Sequence, residues 1–170
     1  LKHKEFISNF AIFHQRYSTN TFPTWSLAQP FRVLAHNGEI NTIQGNINWS
    51  IIHESKMFCK ILGDDIKEVF PIIQEGSSDS AALDSFYELL LNSGKDLPMI
   101  KALTIPEAKN KNQTKKINDF YEYCYSVLEP WDGPAAIAAY GNDWVIAGMD
   151  RNGFRPMRYS ITKNNILFVG

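Results

Sequence analysis

The chain has 170 residues, of which 44% are hydrophobic and 13% aromatic, and a net charge of -1. These values exclude a disordered segment and give no electrostatic case for a nucleic-acid or anionic-membrane partner, and no apolar run is long enough to span a bilayer. At this length one core can form, burying about 70% of the surface that the unfolded chain exposes, so a single domain over residues 1–170 is expected.

In chain order, residues 1–9 are polar and charged, and the apolar run Phe10 to Phe13 suits a buried strand. His14 to Thr21 then carries Arg16 among hydroxyl and amide groups, and the proline-containing stretch from Phe22 to Pro30 reads as a loop. Phe31 to Ala35 reads as a second strand, followed at once by His36-Asn37-Gly38-Glu39. Asn-Gly is a strong hairpin signal, because both residues tolerate positive φ. Residues 39–48, however, do not alternate like a returning strand. Ile40, Ile43, Ile47 and Ile51 recur at helical spacing instead, with Ile52 added to the apolar face and Asn41 or Thr42 as the cap, so the chain passes from strand through Asn-Gly into helix. Such a junction can present a backbone N–H and the Asn amide to a developing negative charge.

Gly63-Asp64-Asp65 is a break, and Gly76-Ser77-Ser78-Asp79 opens the best helix of the chain. Ala82, Leu83, Phe86, Tyr87, Leu90 and Leu91 mark its apolar face, Asp79 lies in its first turn, and Gly94 stops it. A further helix runs from Pro98 to about Ile105, with Met99, Ile100, Ala102 and Leu103 on its apolar side. Residues 109–116, KNKNQTKK, form a solvated loop, and Ile117 to Leu128 is helical. The runs Ala135 to Tyr140, Trp144 to Met149, Tyr159 to Thr162 and Ile166 to Val169 make a meander of antiparallel strands. Strands, then helices, then strands indicate a layered α+β fold.

Cys59 and Cys124 are the only cysteines, too few for a disulfide-stapled secreted scaffold, and both read as structural thiols of a reducing compartment. The four histidines lack metal-ligand spacing, and His14 and His36 read as structural, bonded to backbone. Trp49 and Trp131 read as core or interface, and Arg151 and Arg155 as braces of the sheet. On residue type alone, Arg16 is either a surface ion-pair partner or a bidentate carboxylate fork, and Asp79 either a helix N-terminal acid or an anion for an ammonium ligand. Thr19 and Asn20 are ordinary turn residues on the same footing.

The blocks HQRYSTNTFPTW, PFRVLAHNGEINTIQGNINW, SSDSAALDSFYELL, IPEA, EPWDGPAA and MDRNGFRPMRY, in that order, resemble the glutaminase domain of the large subunit of glutamate synthase. That domain is a class II glutamine amidotransferase of the N-terminal-nucleophile hydrolase type. The resemblance covers the chain almost end to end. It implies part of a four-layer αββα sandwich of antiparallel sheets, with L-glutamine hydrolysed to glutamate and ammonia. It also implies site roles: Arg16 for the α-carboxylate of glutamine, Asp79 for its α-ammonium, Asn37 and Gly38 as oxyanion hole, and Thr19 and Tyr17 lining the pocket.

In that family the nucleophile is a cysteine at the mature amino terminus, its own amine acting as base. This chain begins Leu1-Lys2-His3. The expectation is therefore a segment of a longer polypeptide, incomplete as a domain and inactive alone, with the thiol upstream of residue 1. The parent is expected to aminate 2-oxoglutarate with the released ammonia, using flavin mononucleotide and an iron–sulfur cluster held outside this segment. Its partners would be the synthase domains of the same polypeptide and an electron donor, either NAD(P)H-linked or ferredoxin. An intracellular setting, cytoplasm or a plastid-like organelle, goes with the resemblance. Two alternatives share part of the pattern: another class II amidotransferase, and a non-catalytic binding or assembly module of the same fold.

Overall fold

The computed structural model describes residues 3–15 and 22–170. Within them three helices follow their capping signals closely. Helix α2, Asp79–Asn92, starts at Ser78, whose Oγ accepts the Ala81 N–H at 3.1 Å. It ends where Gly94, at φ +86°, lets the Lys95 N–H reach Leu90 O at 3.1 Å, a closure that a left-handed residue makes possible. Helix α3, Leu97–Thr104, has Pro98 in its first turn, and helix α4, Lys115–Val127, is capped by Thr114.

Strand β1, Leu34–Gly38, pairs antiparallel with β2, Ala135–Gly141, which pairs antiparallel with β3, Trp144–Met149. Alternate residues of β2, namely Ala135, Ile137, Ala139 and Gly141, are buried on one face of this sheet. Helices α2 and α3 cover that face, with Leu83, Phe86, Tyr87, Leu97 and Ile100 filling the layer between. Trp131 closes one end, its ring 5.3 Å from Phe86 in an edge-on arrangement. The arrangement is α+β, one helical layer on one antiparallel sheet.

The expected strand at Phe10–Phe13 is not formed. A strand needs a partner ladder, and this segment has none among the described residues; Phe10 leans on the Tyr140 ring at 5.5 Å and Phe13 is exposed. The second expected strand is shifted: β1 begins at Leu34 and continues through Asn37-Gly38, so these two residues end a strand rather than turn a hairpin. The terminal pair β4, Tyr159–Ile161, and β5, Leu167–Val169, forms its own two-stranded sheet instead of extending the first.

Helix α1, Ile43–Glu54, departs most from its pattern. Ile51 and Ile52 are exposed, and the buried positions are Asn46 and Ser50. Asn46 Nδ2 donates to Pro130 O at 3.1 Å, Ser50 Oγ to Glu54 Oε1 at 3.3 Å, and Glu54 Oε1 accepts the Ile72 N–H at 2.8 Å. These polar side chains recur every four residues, so the helix docks through a hydrogen-bonding stripe while Ile43 and Ile47 rest at the margin of the core. Trp49, expected in core or interface, is exposed and stacks on His53 at 5.9 Å.

The outer edge of β1 is tied down by α2. Asp84, buried, accepts the Val33 and Leu34 N–H groups at 2.9 and 3.0 Å and faces Arg32 at 3.7 Å. Replacement Asp84→Ala strands two buried donors, each costing roughly 1–3 kcal/mol, so urea denaturation should report a loss of about 2–6 kcal/mol. A loss below about 1 kcal/mol would mean that the strand edge finds other acceptors.

Candidate active site at the carboxyl end of the first strand

The antiparallel register puts the end of β1, the start of β2 and the end of β3 side by side, with Asn37 opposite Ala136 and Ala136 opposite Met149. The N-terminus of α2 comes to the same place, since Asp79 Oδ2 accepts the Ile40 N–H at 2.8 Å. Of the residues singled out in the sequence, Asn37, Gly38 and Asp79 therefore meet at one end of the sheet. Arg16, Tyr17 and Thr19 lie outside the described residues, as do Ser18, Asn20 and Thr21.

Ladder parity decides which donors are free here. Val33 O accepts the Tyr140 N–H at 2.9 Å and the Glu39 N–H donates to Pro134 O at 2.8 Å, so the odd-numbered residues of this stretch face β2 and the even-numbered ones face outward. Three outward N–H groups are taken: Leu34 by Asp84 at 3.0 Å, His36 by Gln29 Oε1 at 2.6 Å and Ile40 by Asp79 at 2.8 Å. The fourth, Gly38 N–H, has no acceptor among the described residues.

Gly38 must be glycine. Its φ is +151°, and a Cβ would lie 1.8 Å from Pro134 O. Gly133 meets it from the facing segment, where a Cβ would lie 2.1 Å from Glu39 O. Two backbones thus touch with no side chain between them, and the strand end stays level and open.

Asn37 is oriented by a group that sequence reasoning assigned to bracing the sheet. The Arg155 guanidinium donates to Asn37 Oδ1. A guanidinium can only donate, so the amide oxygen faces Arg155 and the Nδ2 hydrogens face elsewhere. Arg155 is held in turn by Asp150, a buried carboxylate at the end of β3. Asp150 accepts four backbone N–H groups, from Ala135, Asn152, Phe154 and Arg155, at 3.0, 3.1, 2.9 and 2.9 Å. Burial pushes its carboxyl up, but these four donors outweigh burial and hold it below the usual range. Arg151, expected to brace the sheet, instead ties α4 to the loop before β2, 3.7 Å from Asp132 and with its guanidinium 5.3 Å from the Tyr125 ring centre. The sequence signal for Arg155 was present in the block MDRNGFRPMRY, but nothing local in it points to Asn37, 118 residues away.

Asp79 is partly buried, with Oδ1 accepting its neighbour's N–H and hydroxyl at Ser80, at 2.7 and 3.2 Å. The same Ser80 hydroxyl bonds His36 Nδ1 at 2.7 Å, so a side chain holds the ring, and the Pro134 backbone also acts on it. With the Ser80 hydrogen directed to Asp79, Nδ1 carries the proton of a neutral imidazole, and Nε2 is a buried atom without a partner among the described residues. Burial lowers the His36 pKa, the Asp79 charge opposing it only in part.

Cys59 and Cys124 are free and buried, and burial pushes the Cys124 thiol up, away from thiolate chemistry. Among the described residues no three His, Cys, Asp or Glu side chains are grouped as metal ligands, and no helix is long and apolar enough to cross a membrane.

Two outcomes follow from this geometry. Gly38→Ala forces a left-handed residue and a backbone clash, and should lower stability by roughly 2 kcal/mol or more in thermal melting. An unchanged melting temperature would mean that the strand end relaxes freely. For His36 the sign is set by a folded pKa below the unfolded value of 6.5. The unfolded chain takes up a proton that the folded chain resists, so stability is full above pH about 6.5 and falls from there down to the folded pKa. His36→Gln should flatten that part of the urea-midpoint profile, whereas parallel profiles for the two proteins would contradict a neutral buried imidazole.

The family described as "Glutamine amidotransferases class-II" matches residues 1–170. The chain is 52% identical over 169 residues to the "Glutamate synthase [NADPH] large chain" of Azospirillum brasilense, covering 98% of this chain and 11% of that protein. It is 46% identical over 173 residues to the "Ferredoxin-dependent glutamate synthase" of Pyropia yezoensis, covering 99% and 11%. The "Glutamate synthase [NADH]" of Saccharomyces cerevisiae is 45% identical over 166 residues, covering 97% and 8%. The chain thus spans about a tenth of the length of the relatives it matches. With the match running over every residue and through the Asn37-Gly38 strand end, the chain belongs to the class II glutamine amidotransferases.

Proposed function

We propose that this chain is the glutamine-reading part of a glutaminase domain, an incomplete class II domain in a longer glutamate synthase. The observation that carries the reading is the unspent Gly38 N–H beside the Asn37 carboxamide, both at a strand end that Asp79 also reaches. When a nucleophile adds to the amide carbon of glutamine, the carbonyl oxygen becomes an oxyanion and needs donors that are already in place. Gly38 N–H and Asn37 Nδ2 fill that role. Asp79 receives the α-ammonium, and Arg16 the α-carboxylate through a bidentate fork. Thr19 and Tyr17 line the pocket.

The attacking thiol and its amine base come from outside residues 1–170 in this reading, which the burial of both cysteines here supports. The four-layer αββα sandwich is proposed on the same basis, with the described sheet and its helical layer as one half. Ammonia then serves the reductive amination of 2-oxoglutarate elsewhere in the parent protein. Flavin mononucleotide supplies electron transfer there, together with an iron–sulfur cluster. Clusters take about four thiolate ligands, and two buried cysteines do not fit one, so that group lies outside this stretch. The names of the relatives divide among NADPH, NADH and ferredoxin, and the electron donor of this protein is one of that set.

Calorimetric titration of the full-length protein with glutamine, and with glutaramate, which lacks the α-amino group, tests the Asp79 assignment. Asp79→Asn keeps an acceptor for Ile40 N–H and removes the charge. It should weaken glutamine by roughly tenfold or more while leaving glutaramate nearly unaffected, because an unpaired ammonium is the expensive outcome. Equal weakening of both ligands would assign Asp79 to the helix start alone.

A further inference from the structure

We infer that Arg155 is a positioning residue for the reaction, fixing the Asn37 carboxamide so that its Nδ2–H, and not its oxygen, meets the developing oxyanion; this rests on the oxyanion reading of Asn37. A carboxamide is nearly symmetric in shape, and turned over it would set a lone pair against the negative charge it is meant to stabilise. Asn37 is exposed, so burial does not choose its orientation. The Arg155 guanidinium chooses it, because Oδ1 is the only end of the amide that can accept from it. Its positive charge also draws electron density toward Oδ1 and strengthens the opposite N–H as a donor.

Arg155 is in turn placed by its own backbone. Its N–H donates to Asp150 Oδ1 at 2.9 Å, and the same oxygen accepts Ala135 N–H at 3.0 Å, next to Ala136, the residue opposite Asn37. One carboxylate therefore sets the height of the Arg155 turn against β2, the strand that pairs with the one carrying Asn37. The chain of fixed distances runs from β2 through Asp150 and Arg155 back to β1, and none of its members need touch glutamine.

The test is a kinetic cycle on the full-length protein, with glutaminase turnover read as ammonia release. Arg155→Ala should lower kcat by about tenfold to a hundredfold, the scale of a misplaced catalytic group, with the glutamine KM changed by less than about twofold. Arg155→Lys should recover part of the loss. In the double variant with Asn37→Ala, Arg155→Ala should add nothing to the loss that Asn37→Ala causes alone. The inference falls if the two losses multiply, if kcat is unaffected by Arg155→Ala, or if KM alone rises, which would make Arg155 a substrate ligand. An Asn37→Ala enzyme with normal kcat would overturn the oxyanion reading itself, a result distinct from an impaired Asn37→Ala beside an unimpaired Arg155→Ala. Thermal melting separates misfolding from lost orientation, and if Arg155→Ala does not fold, Arg155→Lys carries the same cycle.

Discussion

The outer edge of β1 faces no strand among the described residues, and the way its N–H groups are satisfied governs the site. An unpaired strand edge exposes a donor at every second residue and is free to slip or to recruit a foreign strand. Helix α2 answers three of these demands with side chains from its first two turns, Asp84 at Val33 and Leu34 and Asp79 at Ile40, while Gln29 takes the His36 N–H. Because both carboxylates accept in charge-assisted bonds, these ties are stronger and more directional than neutral ones. The strand is pinned on either side of Gly38, so the one outward donor without an acceptor among the described residues is held in place by its bonded neighbours.

The inner side of the same strand end is fixed by different means. There the Gly38 and Gly133 backbones meet without side chains, while Asp150 gathers the ends of β2, β3 and the following turn onto two oxygens. Preorganised donors stabilise a transition-state charge because their reorganisation has already been done during folding. In the proposed reading that work is distributed over a helix start, a glycine contact and a carboxylate cage.

Hydrophobic period and capping residues were enough to locate α2, α3, α4 and the β2–β3 hairpin, since each buries one regular face or starts on a side-chain cap. They misjudged Phe10–Phe13, where aromatic content stands in for a pairing partner that is absent, and α1, where Ile43, Ile47 and Ile51 suggest a face that Asn46, Ser50 and Glu54 supplant. Asn37, Gly38 and Asp79 stood out in the sequence through their blocks. The grip of Asp84 on a strand some fifty residues earlier did not, and neither did that of Arg155 on Asn37. A side chain bonding distant backbone or amide leaves no periodicity to read.

The polar docking of α1 has a thermodynamic corollary. A helix seated on hydrocarbon exposes that hydrocarbon when it lifts off, which raises the heat capacity and makes the event sensitive to denaturant. Helix α1 already presents Ile51 and Ile52 to solvent and is anchored through Asn46, Ser50 and Glu54. Its release would expose only the modest apolar area of Ile43 and Ile47, with a shallow urea dependence. In native-state hydrogen exchange such a helix exchanges through local excursions that denaturant scarcely accelerates, separately from the cooperative unit formed by α2, α3 and the sheet.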